Sequence, residues 1–323
     1  MSTYAEGIVA IRLAETVLVE QNTIIEQQKN NADSLRVTLA EATSSLTLLQ
    51  TQFDAQSAEV VTLKAQIAVL EAKIIALTPV PVISIHEGDL TITATGTLLE
   101  NVEVRGYLRI KAAGVTVRGC NIVGPKIPVY VMALVQCSST GTIIEDMIID
   151  AQTPSVYTDG IVGAGFILRR VIVTNVVDHV KITGNDVLIE NCSLYGNFYS
   201  ATTPWGSGDT HTDNVQIGKG NNIVIRETKL AGSRNACLMI TQDNGPVSNV
   251  TVEHCDLSGG SFCVNFAEKA YGPIKGIHII DNVFGMAFSG TKRGIISPLT
   301  TTGISEIARN TYPDGSAVTV ARG

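Results

Sequence analysis

The sequence predicts a mainly β protein, a parallel β-solenoid preceded by a long α-helical coiled coil. Three observations predict it: a break in composition, an unbroken heptad pattern, and a short strand motif that recurs on average every 26 residues.

The break comes first. The chain has 323 residues, 45% apolar and 16% charged, which is enough apolar material to bury a core. Residues 1–78 hold one glycine, Gly7, while all 10 Pro, 6 Cys and 5 His lie in 79–323. Pro79 and Pro81 stand at the junction, where they end one architecture and stiffen the entry to the next. The expected organisation is a coiled coil for oligomerisation and attachment over 1–78, a linker over 79–83 and the solenoid over 84–323. The net charge of −7 argues against a phosphate-binding surface, so no nucleic-acid partner is expected. No run of about 20 apolar residues exists, so no membrane insertion is expected. The start, MSTYAEG, lacks a basic region, which argues against a secretory signal.

The heptads begin at Ile11. Steps of three and four pass through Ala14, Leu18, Gln21, Ile25, Gln28, Ala32 and Leu35, then Leu39, Ala42, Leu46, Leu49, Phe53 and Gln56. They end with Val60, Leu63, Ile67, Leu70, Ile74 and Leu77, and seventeen of the twenty positions are apolar. A lone helix has a 3.6 period and drifts out of such a frame, so a sustained 3.5 repeat implies partner helices in a left-handed supercoil. At 1.5 Å per residue the rod is roughly 100 Å long. Gln21, Gln28 and Gln56 at d, with Phe53 at a, call for a wide core, and a homotrimer through 11–77 is expected.

The strand motif reads apolar, two residues, small or apolar, one residue, apolar. It appears as Leu99/Val102/Val104, Val117/Cys120/Ile122, Ile144/Met147/Ile149, Leu168/Val171/Val173 and Ile189/Cys192/Leu194. It returns as Ile225/Thr228/Leu230, Val252/Cys255/Leu257, Ile279/Asn282/Phe284 and Ile307/Asn310/Tyr312. A polar pair often fills the gap, as in Glu100-Asn101, Glu145-Asp146, Arg169-Arg170 and Glu253-His254. A second strand per repeat is read at 160–164, 179–183, 214–218, 237–241 and 263–267. Such short runs bury a core only when stacked edge to edge at about 4.8 Å.

On these repeats, residues 83–320 resemble the right-handed parallel β-helix proteins of the pectate-lyase-like superfamily. HTDNVQI (His211–Ile217) and GPVSNVTVEHCDLSGG (Gly245–Gly260) look like members from actinobacteria and their phages. A coiled coil feeding a β-helix also resembles phage tail fibres and tailspikes of the minor tail protein type, which are usually trimers. The resemblance implies a virion tail protein assembled in the host cytoplasm, with other tail proteins at the N-terminus and a host surface polysaccharide as partners. The chain departs from the enzymes of that superfamily. It has no Asp-Asp pair, His179 sits in Asp-His-Val rather than Gly-His-Gly, and no acid cluster accompanies Arg226 or Arg234.

Cys120, Cys192 and Cys255 share one inward repeat position with Met147, Val171 and Thr228, and Cys237 and Cys263 lie on the second strand. They read as core fillers, and free buried thiols suit a reducing cytoplasm. The repeat after Ile189 stretches to 36 residues and carries Tyr195, Phe198, Tyr199 and Trp205, followed by Asp209, His211 and Asp213. Rings stack on sugar faces, so this insertion is either a glycan groove or a loop covering the wall. Asp159, Asp178 and Asp213 open successive second strands. In register they lie about 5 Å apart, close enough to raise one pKa and to serve retaining glycoside hydrolysis, or they are turn formers bonding nearby amides. The candidate catalytic residues are Asp178, Asp209, Asp213 and His211. The candidate glycan contacts are Trp205, Tyr195, Tyr199, Phe198, His179 and Lys181. Asp209, His211 and Asp213 could also ligate a metal through alternate residues, but spacing identifies no further ligand, so neither metal nor cofactor is expected. Two functions follow, a glycan-binding tail fibre or spike, or a polysaccharide hydrolase or lyase on the same scaffold; a third, a cellular surface or cell-wall β-helix protein, is weakened by the start of the sequence, which does not read as a secretory signal.

Overall fold

The computed structural model describes residues 2–77, 84–128, 132–204, 206, 208–286, 288 and 296–320, with helix side chains described for 18–56, 59, 60, 62 and 63. The 79–83 linker, Trp205 and the side chains of Ile11, Ala14, Ile67, Leu70, Ile74 and Leu77 lie outside them. The chain divides into two compact units, Met1–Pro79 and Val80–Gly323.

The first unit is one α-helix, Ser2–Leu77, with no proline to break it. Its hydroxyl side chains fold back on the helix, as in Thr43 Oγ1 to Leu39 O at 2.8 Å, and so leave the heptad positions clear. Leu18, Ile25, Leu35, Leu39, Leu46, Leu49, Phe53, Val60 and Leu63 are all large, apolar and exposed in the single chain.

The second unit is a parallel β-helix of 24 strands among the described residues. Every strand pairing is parallel, so each coil of chain lies one hydrogen-bonded step from the next. A typical coil gives the second sheet one strand, Val180–Thr183, and then gives the first sheet two, Val187–Glu190 and Ser193–Leu194. The expected second strands are all present.

The two-residue gap of the motif is a bend. Asn101, Asp146, Arg170, Asn191, Glu227, His254, Asp281 and Arg309 all adopt φ of 50–57°, the left-handed conformation that turns the strand through one residue. Strand Phe166–Thr174 therefore shows buried residues alternating on both sides of an outward pair, Arg169-Arg170. Strand Thr142–Asp150 repeats that pattern in register, with Leu168 on Ile144 and Val171 on Met147.

Inside, side chains pile into columns. Cys120, Met147, Val171, Cys192, Thr228 and Cys255 are buried in successive coils, and the column continues through Asn282 and Asn310. The amides satisfy one another, with Asn282 Nδ2 donating to Asn310 Oδ1 at 2.9 Å. All six cysteines are free and buried, and burial pushes the Cys137 thiol up to about 12, so these sulfurs serve as packing. Each fully buried Ile or Leu of the flanking columns contributes roughly 1.5–3 kcal/mol.

Outside, the residues just before the bends of seven coils form a charged column. Glu100, Arg118, Glu145, Arg169, Glu190, Arg226 and Glu253 stand in register on seven successive coils and alternate in sign. Arg118 reaches Glu100 at 2.6 Å, and Glu190 accepts from both Arg169 and Arg226 at 2.5 Å.

Candidate functional site

A groove of about 460 Å³ runs along the outer face of the second sheet. Its floor is one outward column, Lys181 in register with Gln216 and Gln216 with Met239. The end of the long insertion, Asp209–Asp213, walls one side with Tyr157, while Asp243 and Lys269 close the far end. That volume suits a small ligand or one or two rings of a longer chain.

One edge of the floor is a column of acids. Asp159, Asp178 and Asp213 occupy equivalent positions on three successive coils, because Ile161 pairs with Val180 and Val180 with Val215. Each carboxylate accepts the backbone N–H of the next coil. Asp159 Oδ1 takes Asp178 N at 3.2 Å, Asp178 Oδ1 takes Asp213 N at 2.7 Å, and Asp213 Oδ1 takes Ala236 N at 2.9 Å. Lys181 Nζ bridges the first pair, 2.8 Å from Asp159 and 3.0 Å from Asp178. Asn235 Nδ2 donates to Asp213 Oδ1 at 2.8 Å.

Burial governs the electrostatics. Asp178 is pushed up to about 6, first because the wall shuts out water; Lys181 opposes the shift and the Asp159 charge adds to it. Asp213 is raised well above the usual carboxylate range, again by burial first and then by the Asp178 charge. Burial works against the Lys181 charge, but Asp178 and Asp159 outweigh it and hold the ammonium above its ordinary pKa. A neighbouring acid thus adds to the rise at Asp178 and at Asp213, yet desolvation is the larger cause.

The four candidate catalytic residues, Asp178, Asp209, Asp213 and His211, all line this groove, together with Lys181. Asp209 and His211 are exposed, whereas Asp178 and Asp213 are buried at its edge. The candidate glycan contacts separate. His179 is completely buried: its Nε2 donates to Tyr195 O at 3.0 Å and its Nδ1 accepts from Asn214 Nδ2 at 3.1 Å. Burial lowers its pKa to about 4, and with both nitrogens occupied it holds the corner together rather than meeting a ligand. Tyr195, Phe198 and Tyr199 do not line the groove. The insertion is pinned to the wall by Asn197 Nδ2 on Val177 O at 2.8 Å and by Phe198 N on Val176 O at 2.7 Å. Tyr157, Asp159, Gln216, Met239, Asp243 and Lys269 complete the site; of these, Asp159 alone carried a signal, its strand-opening position. Among the described residues, no group of three or more His, Cys, Asp or Glu could hold a metal ion.

No protein-family model matches this sequence, and no curated protein matches it. Solved structures with a similar fold include the crystal structure of Dettilon tailspike protein (gp208), at 10% identity and a TM-score of 0.49, over 74% of this chain and 60% of that one. The Azotobacter vinelandii mannuronan C-5 epimerase AlgE6 A-module is similar at 10% identity and a TM-score of 0.35, over 70% of this chain and 64% of that one. The chain thus spans less than two thirds of the length of either.

Proposed function

We propose that this protein is a tail fibre or tailspike-type virion protein that binds a host-surface glycan in the groove of its β-helix. The groove carries the reading: Lys181, Gln216 and Met239 form a floor with donor, amide and apolar groups, edged by three stacked carboxylates. Sugar hydroxyls need this mixture of charged acceptors, donors and apolar surface. The helix supplies the second part. Nine large apolar heptad residues, Leu18 to Leu63, are exposed in one chain, and two further copies would cover them and present three grooves together. Other tail proteins would meet the N-terminal end, with assembly in the host cytoplasm.

The raised Asp178 favours a second reading, a depolymerase acting in the same groove, since a carboxyl titrating near 6 can donate a proton at neutral pH. Binding remains the better fit. Asp178 Oδ1 is committed to the Asp213 amide and Oδ2 to Lys181, so neither oxygen is poised for a substrate. The test is a bacterial-surface glycan array probed with the full chain, followed by measurement of reducing ends or unsaturated products from the polymers it retains. Retention without product release supports the binding reading. Product release lost in Asp178→Asn would replace it with the enzymatic one, and no retention on any glycan overturns both.

A further inference from the structure

One described arginine of the solenoid has no carboxylate partner. Arg36, Arg105, Arg109, Arg118, Arg169, Arg170, Arg226 and Arg309 each form an ion pair, and Arg234 is the exception among the described arginine side chains. Its guanidinium instead lies over two rings, with Cζ 3.4 Å from the centroid of Tyr199 and 4.6 Å from that of Phe288. Tyr199 is thus one of the insertion's aromatics that the groove does not use.

Three turns of the solenoid build this stack. Tyr199 is held between Phe198, whose N–H binds Val176 O at 2.7 Å, and Ser200, whose N–H binds Thr210 Oγ1 at 3.0 Å. Arg234 is anchored through its own N–H on Thr212 Oγ1 at 2.9 Å. Phe288 donates its N–H to Gly260 O at 2.7 Å, across a Gly259–Gly260–Ser261 turn that puts no bulky side chain in between.

We infer that Tyr199, Arg234 and Phe288 form a second ligand site, separate from the groove, for an oxyanion (carboxylate or phosphate) carried on a sugar. Two ring contacts restrain a guanidinium while its N–H groups stay able to donate, and that fork of donors matches a planar or tetrahedral oxyanion. A lysine could not be held this way. Phe288 is 55% exposed, so its outer face is open to stack a sugar ring while the acid group meets Arg234. The neighbouring residue, Asn235, lines the groove and bonds Asp213, which sets the two sites side by side on one wall.

Isothermal titration of the full chain with galacturonate, galactose 1-phosphate and galactose tests this. At least one acidic probe binds about tenfold more tightly than galactose, and the tighter of the two identifies carboxylate or phosphate as the preferred group. Arg234→Gln removes about tenfold of that affinity, and Arg234→Lys, which keeps the charge, removes about threefold or more. Phe288→Ala weakens the acidic probe while Asp213→Asn leaves its affinity within about twofold. Equal affinity for galactose, an unchanged Arg234→Gln, loss in Asp213→Asn, or no acidic probe bound at about 50 mM would each overturn the site. The glycan array repeated with Arg234→Gln reads the groove without this site, so failure of the one reading is distinguishable from failure of the other.

Discussion

The outer column Glu100, Arg118, Glu145, Arg169, Glu190, Arg226 and Glu253 changes sign at every coil, whereas Asp159, Asp178 and Asp213 place three acids in succession on the other sheet. Glu190 and Asp178 show what the difference does. Their carboxyls shift in opposite directions. Bonds from Arg226 and Arg169 hold Glu190 below its ordinary range against the cost of burial. Asp178 has one lysine, shared with Asp159, and burial lifts it to about 6. In the first column charge stabilises the stack, and the fold accounts for it. In the second an asparagine would accept the same amide bonds without the repulsion, so the charges there point to a ligand rather than to stability.

Removing the one cation of the acidic column should have the largest effect. Lys181→Met leaves Asp159 and Asp178 facing each other, and a loss of about 3 kcal/mol at pH 8 is expected in urea unfolding. The loss should shrink at pH 5, where Asp178 takes up a proton; a pH-independent loss would mean that Lys181 acts through packing. Glu190→Gln, in the alternating column, deprives two partly exposed arginines of their shared partner, and about 2 kcal/mol should be lost by the same measurement.

The two carboxyls also predict opposite pH dependence. Asp178 has a folded pKa above its unfolded value, so its contribution is fully present below the unfolded pKa and is lost as pH rises through about 6. On this account, acidifying from pH 7 to 5 stabilises the wild-type chain by about 1 kcal/mol through this group. Glu190 has a depressed folded pKa, so its contribution is present above the unfolded pKa and disappears as pH falls through the folded one. Comparing urea midpoints of wild type and Asp178→Asn across pH 5–8 isolates the first effect, and parallel curves would remove it.

Much of this was legible in the sequence because the solenoid repeats. A motif with a fixed two-residue gap places Cys120, Cys192 and Cys255 in one column whatever the loop lengths, and they are buried in register. The alternating column was visible only as polar pairs, since its order depends on which coil pairs with which. Asp178, Asp209, Asp213 and His211 were legible as a group, and they share one groove. The aromatics were legible as a cluster but their direction was not, because ring composition says nothing about it. Asn197 on Val177 O and Phe198 on Val176 O decide where Tyr195 and Tyr199 point, and those bonds cross coils 20 and 22 residues apart. His179 misled for the same reason, since the carbonyl and amide that occupy its nitrogens come from Tyr195 and Asn214.

Asp213→Asn tests the central claim most directly, in one protein with two readouts. The asparagine oxygen still accepts from Asn235 and Ala236, so the predicted result is an unfolding free energy about 1 kcal/mol higher at pH 8 with glycan retention reduced about tenfold or more. A less stable protein, or one that keeps its glycan, would show that the acidic column belongs to the scaffold after all.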